Sequence, residues 1–288
     1  MSTAILGPRG TFSEEAALLR AAPDELATFA SFPALVSAVE TGLADEALIP
    51  IENSIEGAVS TTLDLLIHET SLRISGELVL PVRHFLVTRP GVRLEDVKVV
   101  TSHPQALGQC RRFLERCLPG VEQVAALSTS GAVQEVAEGD DGHRAGIGTK
   151  RAADLYGGAI LAHDIQDARS NVTRFVVLAP EDAAPTGDDK TSIGFRVREN
   201  IPGALHSILT ELAAENIQMT KIENRPTKGW LGEYVFLIDF EGHRLDGRVA
   251  RVLERVEEKS SQLKIFGSYP RYPLESLRAA IDSGQPLD

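Results

Sequence analysis

Short apolar, β-branched runs alternate with amphipathic runs along the first 180 residues of the chain. Apolar positions three and four apart predict helices, whereas short continuous apolar runs predict buried strands. Strands are predicted at residues 3–7, 27–30, 46–51, 97–101, 121–127, 145–148, 159–162 and 175–178. Helices are predicted at residues 14–21, 33–41, 58–69, 105–118, 131–138 and 151–156. This alternation is typical of parallel sheets with helices on both faces.

Residues 73–88 form a longer β-branched segment, interrupted by Gly76 and Pro81. Such a segment is suited to crossing from one lobe to another, and the strand at 175–178 could return to the first lobe. The spacing of the elements alone leaves one lobe or two open.

The pattern changes after a stretch rich in Ala, Pro, Asp and Gly, which predicts a linker at residues 181–190. Beyond it, strands are predicted at residues 191–198, 217–225, 233–240 and 263–267, and helices at residues 203–215 and 246–260. This β-α-β-β-α-β order is ferredoxin-like. The polar tail at residues 271–288 is expected to be helical.

Composition is that of an ordinary soluble globular protein, with 43% hydrophobic and 24% charged residues. The net charge of -12 argues against nucleic-acid binding and means that an anionic ligand must be held by local groups. The chain starts without a targeting pattern and carries no apolar run of membrane-spanning length, so the cytoplasm is the expected location. Its seven histidines show no metal-ligand spacing, and no metal is expected.

Small polar residues recur where strands end and helices begin, a place where ligands bind in α/β folds. Hydroxyls at these positions are ordinary helix N-caps, but together they could surround an anion with free N–H groups. The residues of this kind are Thr11, Ser13, Ser54, Ser102, Ser130 and Thr149. Gln109 lies one helical turn beyond Gln105 of a Ser102-x-x-Gln105 capping box.

Several motifs, taken in order, resemble those of a prephenate dehydratase with a C-terminal ACT regulatory domain. They are Gly-Pro-Arg-Gly-Thr-Phe-Ser-Glu at 7–14, Pro-Ile-Glu-Asn-Ser-Ile-Glu-Gly at 50–57, Ser-His-Pro-Gln at 102–105, Thr-Arg-Phe at 173–175 and Gly-Ala-Leu at 203–205. The resemblance extends from about residue 3 to residue 269. It implies a two-lobed, periplasmic-binding-protein type II-like α/β catalytic domain at residues 1–180 and a ferredoxin-like ACT domain at 191–270. Lobe 1 would comprise about 1–78 and 165–180, and lobe 2 about 79–164.

The resemblance implies a carbon–oxygen lyase that converts prephenate to phenylpyruvate in L-phenylalanine biosynthesis, without a cofactor. Thr173 is then the candidate proton donor for the departing hydroxyl. In an extended chain Thr173 and Phe175 share a face, so Phe175 could pack against the substrate ring. The substrate contacts implied are Thr11, Ser13, Glu52, Asn53, Ser54, Ser102, His103, Gln109, Ser130, Arg174 and Phe175.

The resemblance also implies that L-phenylalanine acts as an effector bound between two ACT domains, in a homodimer or homotetramer. The implied effector contacts are Gly203, Ala204, Leu205, His206, Glu223, Asn224, Arg225 and Pro226. Two of them depart from the family pattern. Asn224 stands where serine is usual, and His206 stands where the residue is often apolar or aromatic. The selectivity for the effector is therefore open.

Two other functions fit the same motifs. An arogenate dehydratase would share the fold and differ in the substrate side chain. A non-catalytic amino-acid sensor would need a cleft and an effector pocket but no proton donor, and the presence of Thr173 beside Asn53 and Gln109 favours an enzyme. Since no chorismate mutase domain precedes Gly7, we expect a monofunctional enzyme.

Overall fold

A computed structural model of the chain describes residues 1–283. Its strands are β1 (Thr3–Leu6), β2 (Leu26–Phe29), β3 (Glu46–Asn53), β4 (Gly57–Ala58), β5 (Arg73–Pro81), β6 (Phe85–Thr88), β7 (Val99–Ser102), β8 (Glu122–Ala125), β9 (Arg144–Gly148), β10 (Ala159–Ala162), β11 (Val172–Ala179), β12 (Asp189–Val197), β13 (Met219–Pro226), β14 (Tyr234–Glu241) and β15 (Ser260–Pro270). Its α-helices are α1 (Phe12–Leu18), α2 (Phe32–Glu40), α3 (Ser60–His68), α4 (Pro104–Gln109), α5 (Arg111–Cys117), α6 (Thr129–Glu138), α7 (Lys150–Tyr156), α8 (Ala204–Ala214), α9 (Gly247–Lys259) and α10 (Leu274–Ser283).

The first sheet has the order β2-β1-β3-β11-β5, with β4 paired to the end of β3. Strands β1, β2 and β3 are parallel, whereas β11 runs antiparallel to both β3 and β5. Both faces are buried, because Leu48 and Val177 pack on one face while Ile49 and Val176 pack on the other. This explains why β3 and β11 read as nearly continuous apolar runs.

The second sheet has the order β10-β6-β9-β7-β8. Here β7, β8 and β9 are parallel, and β6 is antiparallel to its neighbours β9 and β10. The expected parallel pairings are therefore present in both sheets, and each sheet also contains antiparallel pairings. In the first sheet β11 and the two-residue β4 run antiparallel to β3, and in the second sheet β6 is the reversed strand. Strands β11 and β6 are the ones whose chain arrives from the other sheet.

Two segments, residues 82–84 and 163–171, carry the chain between these sheets. They are hydrogen-bonded to each other, from Val82 N to Asn171 O (2.8 Å) and from Ile165 N to His84 O (3.0 Å). A double crossing of this kind joins two lobes through a hinge and confirms the expected two-lobed architecture.

The third sheet is antiparallel, with the order β13-β14-β12-β15. Helices α8 and α9 cover one face, where Phe195, Ile238 and Phe240 are buried against them. This is the expected β-α-β-β-α-β fold, called the ferredoxin-like domain below. Its other face lies against the first sheet, since Leu237 belongs to the same buried cluster as Val176.

Two local expectations are corrected. The predicted helix at residues 105–118 is two helices, because the backbone leaves the helical region at Cys110 (φ -112°, ψ 14°). The predicted linker 181–190 is too long at its end, since Asp189 and Lys190 are buried residues of β12. The tail at 271–288 contains α10, and its residues 284–288 lie outside the described residues. Within residues 1–283, every helix is too short or too polar to cross a membrane.

Candidate active site

A hydrogen-bonded pair, Asn53 and Thr173, lies where β3 and β11 meet at the hinge. The two residues face each other directly across the antiparallel ladder, so their side chains emerge on the same face of the sheet. Asn53 Nδ2 lies 2.9 Å from Thr173 Oγ1, and Asn53 is 8% exposed. Sheet register therefore places the candidate proton donor beside an amide.

The direction of this hydrogen bond is determined by the backbone. Asn53 Oδ1 accepts hydrogen bonds from the backbone N–H groups of Ile55 and Glu56, both at 3.0 Å. Because these donors fix the oxygen of the amide, its NH₂ group must point toward Thr173. Thr173 Oγ1 is thus the acceptor, and its own proton remains available to a third group.

Asn171 and Gln109 extend the pair into a network that joins the two lobes. Asn53 Nδ2 also lies 2.9 Å from Asn171 Oδ1, and Asn171 Nδ2 donates to Gln109 Oε1 at 3.0 Å. Gln109 Nε2 in turn donates to Glu56 Oε1 at 3.3 Å. Gln109 belongs to α4 in the lobe of the second sheet, whereas Asn53 belongs to β3 of the first sheet. The network therefore depends on the position of one lobe relative to the other.

His84, in the first hinge segment, completes this network. It is 2% exposed, its Nε2 lies 3.0 Å from Gln109 Oε1, and its ring packs edge-on against Phe12. Because Gln109 Oε1 can only accept, His84 donates through Nε2. Nδ1 is buried and has no hydrogen-bond partner within residues 1–283. Burial lowers the pKa of His84, so the ring is held neutral near pH 7.

The lowered pKa of His84 predicts a pH effect on stability. An unfolded chain binds a proton at this ring below its ordinary pKa of about 6.5, whereas the folded chain resists protonation. Stability should therefore fall as pH decreases through about 6.5. We expect the loss of Tm between pH 7.5 and pH 5.5 to be smaller in His84→Gln than in the wild-type chain. His206→Gln, at an exposed position, is the control. Equal pH dependence in all three proteins would contradict the prediction.

The loop after β1 forms a second contact between the lobes. Thr149 Oγ1 donates to Gly10 O at 2.7 Å, and Ser130 Oγ donates to Arg9 O. Gly10 has a φ of +80°, and a Cβ built on it would lie 2.6 Å from Ser130 Oγ and 3.0 Å from the Ala152 Cα. Glycine is required here both by backbone conformation and by the close approach of the second lobe.

The polar residues predicted at strand ends serve mainly to build the loops. Ser102 and Ser130 are fully buried, and the Ser102 hydroxyl donates to Ile147 O at 2.6 Å. Thr11 and His103 accept hydrogen bonds from the first turns of α1 and α4. Ser54 Oγ donates to Ser170 O at 3.2 Å. The capping interpretation thus holds for Thr11 and for Thr149, which caps α7. The predicted Ser102 capping box is wrong, because the N-cap of α4 is His103. The hydroxyls of Ser102 and Ser130 both donate to backbone carbonyls of the protein, and their role as substrate contacts stays a prediction.

Ser13, also predicted to contact the substrate, lies within the first turn of α1 and is 8% exposed.

The predictions that Phe175, Arg174 and Glu52 contact the substrate require correction. Phe175 does lie on the same face as Thr173, but it is 1% exposed and packs in the core with Leu48 and Leu78. Further along β11 that face is covered by α1, so the ring cannot reach a ligand.

The Arg174 and Glu52 side chains leave the opposite face of the first sheet, because adjacent residues of a strand alternate. Arg174 Nε lies 3.3 Å from Glu52 Oε2 and Arg174 Nη2 lies 2.8 Å from Asp239 Oδ2 of the ferredoxin-like domain. Both residues thus face the other domain and not the substrate. Their opposite charges pair, with the Arg174 side chain 12% exposed and the Glu52 side chain 38% exposed.

The predicted effector segments lie at the start of α8 and on the edge strand β13. Gly203 is the N-cap of α8, with φ +88° and no side-chain cap, so Ala204, Leu205 and His206 form the first turn. Side chains alternate between the two faces of the sheet along β13, so the residues of the second effector segment, 223–226, point to different faces. Arg225 faces the catalytic part, where its Nη2 lies 3.0 Å from Asp64 Oδ1 of α3.

Glu223 lies on the same face of β13 as Arg225, whereas Asn224 pairs with Phe236 on the face that carries the helices. Pro226 shares the face of Asn224. The prediction that all four residues contact the effector is therefore corrected: Glu223 and Arg225 are turned toward the first sheet.

Sequence reasoning missed Asn171, His84 and the contact made by Glu56. Asn171 directly precedes the Val172-Thr173 pair, and His84 interrupts an otherwise apolar crossing between two strands. A polar residue within an apolar crossing is a usable signal, since burying it requires a partner. Its partner, Gln109, could not be identified without the fold.

Comparison with known proteins gives a consistent result. The family model described as prephenate dehydratase matches residues 3–183. A prephenate dehydratase of Mycolicibacterium vanbaalenii is 41% identical over 286 residues, covering 93% of this chain and 90% of the relative.

Two solved structures superpose on nearly the whole chain, each with a TM-score of 0.86. One is a prephenate dehydratase from Arthrobacter aurescens in complex with L-Phe, 36% identical, covering 98% of this chain and 99% of the other. The second is GqqA, described as a novel type of quorum-quenching acylase, 32% identical, covering 96% of this chain and 100% of the other.

Proposed function

Since this chain belongs to the prephenate dehydratase family, we propose that Thr173 donates the proton that lets the ring hydroxyl of prephenate leave as water. The observation that supports this role is the fixed direction of the Asn53–Thr173 hydrogen bond. A hydroxyl that accepts from the protein keeps its own proton for the substrate.

The reaction removes carbon dioxide and water from prephenate and leaves phenylpyruvate. The carbon–carbon bond to the ring carboxylate breaks, its electron pair enters the ring, and the carbon–oxygen bond opposite breaks. Aromatisation supplies much of the driving force, so the protein has to hold the dianion and protonate the departing oxygen. Because the threonine hydroxyl is a very weak acid, the proton moves as the carbon–oxygen bond breaks, and solvent water then returns a proton to Thr173.

Asn53 has a defined part in this step. As Thr173 gives up its proton, negative charge develops on Oγ1, and Asn53 Nδ2–H already points at that atom from 2.9 Å. A preorganised donor aimed at developing charge stabilises a transition state more than a ground state. Gln109, Asn171 and His84 hold the Asn53 amide in this orientation through the hydrogen bonds described above.

The same fold carries another activity in GqqA, by its description an acylase, so the fold alone does not define the reaction. The direct test is the product formed from prephenate, measured side by side with arogenate. We expect phenylpyruvate and carbon dioxide in equal amounts, with prephenate preferred. A preference for arogenate would move the substrate assignment to the amino analogue, and binding without turnover would favour the sensor.

The domain boundaries follow from this assignment. We place catalysis in residues 1–180 and regulation in an ACT domain that begins with β12 at Asp189 and extends to about residue 270, joined by a linker at 181–188 and followed by the tail at 271–288. The double crossing at residues 82–84 and 163–171 supports a division of the catalytic part near residues 81 and 165, with the first boundary slightly beyond the expected residue 78 and the candidate site between the lobes.

We further propose that L-phenylalanine is the effector and that two ACT domains share it, in a homodimer or homotetramer. The related Arthrobacter enzyme is described in complex with L-Phe. The uncapped first turn of α8 presents N–H groups suited to a carboxylate, and Asn224 on the exposed edge strand is suited to an amine.

Substitution of Asn224 tests this effector site. We expect Asn224→Ala to weaken inhibition by L-phenylalanine by roughly 10- to 150-fold, which corresponds to loss of one hydrogen bond to a charged group. Turnover without L-phenylalanine should be unchanged. Gln262→Ala removes an exposed amide from β15, the opposite edge of the same sheet, and should change neither quantity. Unchanged inhibition in Asn224→Ala would contradict the placement of the effector.

A further inference from the structure

A cluster of six charged side chains fills the interface between the first sheet and the ferredoxin-like domain. We call it the interdomain ion cluster. Three of its members come from the catalytic strands β3, β5 and β11 and three from β12, β13 and β14 of the ferredoxin-like domain. They are Glu52, Glu77 and Arg174 from the first sheet, and Lys190, Lys221 and Asp239 from the third. The formal charges of the cluster sum to zero.

Arg174 is the centre of the cluster. Its Nη1 lies 3.1 Å from Glu77 Oε2 and its Nη2 lies 2.8 Å from Asp239 Oδ2. Lys190 Nζ holds the other Glu77 oxygen at 2.7 Å. The side chains are 12% exposed for Arg174, 9% for Asp239 and 1% for Glu77. Ions this deeply buried are weakly screened and have few alternative partners, so their geometry is fixed.

Asp239 is itself held in place from within its own domain. Ser192 Oγ donates to Asp239 Oδ1 at 2.7 Å and lies 2.6 Å from the Tyr269 hydroxyl. The pKa of Asp239 is lowered, because the charge of Arg174 and the Ser192 hydrogen bond outweigh its burial. The carboxylate therefore stays ionised and oriented toward Arg174.

The cluster lies directly behind the candidate catalytic pair. Across β3 and β11, Thr173 faces Asn53 and the next cross-strand pair is Arg174 facing Glu52. Successive residues of a strand point to opposite faces. One pair therefore faces the hinge and the other faces the ferredoxin-like domain. A displacement of Arg174 or Glu52 along the sheet moves Thr173 or Asn53 with it, since each is the adjacent residue of the same strand.

The strand that carries the candidate effector residue also reaches this cluster. Lys221, three residues before Asn224 on β13, places its Nζ 3.1 Å from Glu52 Oε2. Arg225 ties the other end of β13 to Asp64 of α3. A shift of β13 on effector binding would thus be transmitted to Glu52, which is adjacent to Asn53 on β3.

We propose that Lys221 and Asp239 of the ferredoxin-like domain are positioning residues for the Asn53–Thr173 pair, acting through Glu52 and Arg174, and that effector binding changes turnover by this route. The inference rests on the proposed role of Thr173 and on the proposed effector site. It makes the ferredoxin-like domain a structural part of the active site even when no effector is bound.

The test is Lys221→Met in the full-length protein, with Lys221→Arg as the conservative variant. The Lys221 side chain is 12% exposed, but its partner Glu52 is 38% exposed and keeps Arg174 as a second partner, so loss of Lys221 should be tolerated by the fold. We expect kcat to fall about tenfold with KM unchanged, less than the roughly 100-fold that a 1 Å misplacement can cause. Inhibition by L-phenylalanine should weaken by about 5-fold or more, within the usual range of couplings. Lys221→Arg should restore both.

Lys264→Met is the matched control. Lys264 also links the two domains, through backbone oxygens of Ile67 and Thr70, but it lies outside the cluster. It should keep the wild-type kcat and response to L-phenylalanine. Wild-type kcat and inhibition in Lys221→Met, or equal losses in Lys264→Met, would overturn the proposal.

Asp239→Asn gives an independent measurement from the buried side of the cluster, and it should lower kcat with KM unchanged. If Lys221→Met does not fold, Glu52→Gln is measured in its place, and the same result is expected. Failure of the wild-type chain to convert prephenate would instead overturn the proposed function. If L-phenylalanine does not inhibit the wild-type enzyme, the kcat of Lys221→Met still decides whether the residue positions the pair.

Discussion

Thr173→Val is expected to fold normally and to lose about 10²–10⁴ in kcat, the usual contribution of a positioned proton donor. Valine has nearly the shape of threonine, so β11 should keep its register. Asn53 Nδ2 would lose one acceptor but retain Asn171 Oδ1 and Val172 O, at 2.9 and 3.3 Å. No buried donor is left unpaired, and the stability cost should be about 1 kcal/mol. The measurement is the steady-state rate of phenylpyruvate formation, with Tm as the test of folding.

Thr173→Ser is the matched control, because it keeps the hydroxyl and removes only a methyl group. It should retain far more turnover than Thr173→Val. Near-wild-type kcat in Thr173→Val would remove Thr173 from the chemistry. Equal losses in both variants would assign the effect to packing and not to the hydroxyl.

Gly10→Ala is expected to impair catalysis by preventing the lobes from meeting. The added Cβ would lie 2.6 Å from Ser130 Oγ and 3.0 Å from Ala152 Cα. Overpacking of this kind costs about 1–3 kcal/mol, and because each 1.4 kcal/mol is a factor of ten, kcat/KM should fall by about 5- to 150-fold. The positive φ at Gly10 adds a separate backbone strain.

Gly120→Ala separates these two effects. Gly120 has nearly the same φ, +78°, but nothing lies within 4 Å of a Cβ built there. It should lower Tm by backbone strain alone and leave kcat/KM unchanged. If Gly10→Ala and Gly120→Ala have the same kcat/KM, the contact between the lobes is not needed for catalysis.

The order of helices and strands could be predicted because apolar periodicity reports local burial. The direction of β6 and β11 could not, because strand direction depends on which sheet the chain enters after the hinge. The number of lobes could not be predicted from the spacing of the elements either. The two-lobed architecture was implied by the family resemblance.

Within the site, the importance of the segment around Thr173 was predictable from its motif and from Asn53. The burial of Phe175 was not, because two residues on one face of a strand can have different coverings: here the hinge lies over one and α1 over the other. The pairing of Arg174 with Asp239 joins residues 65 positions apart in two domains, and no local pattern reports such a contact.

The most direct test of the account is a single-turnover measurement with enzyme in excess over prephenate, in H₂O and in D₂O. Excess enzyme removes product release from the observed rate, so the rate reports the chemical step. The account predicts one phenylpyruvate for each prephenate, formed more slowly in D₂O because the Thr173 proton moves as the carbon–oxygen bond breaks. Equal rates in the two solvents, or bound prephenate that is not converted, would contradict it.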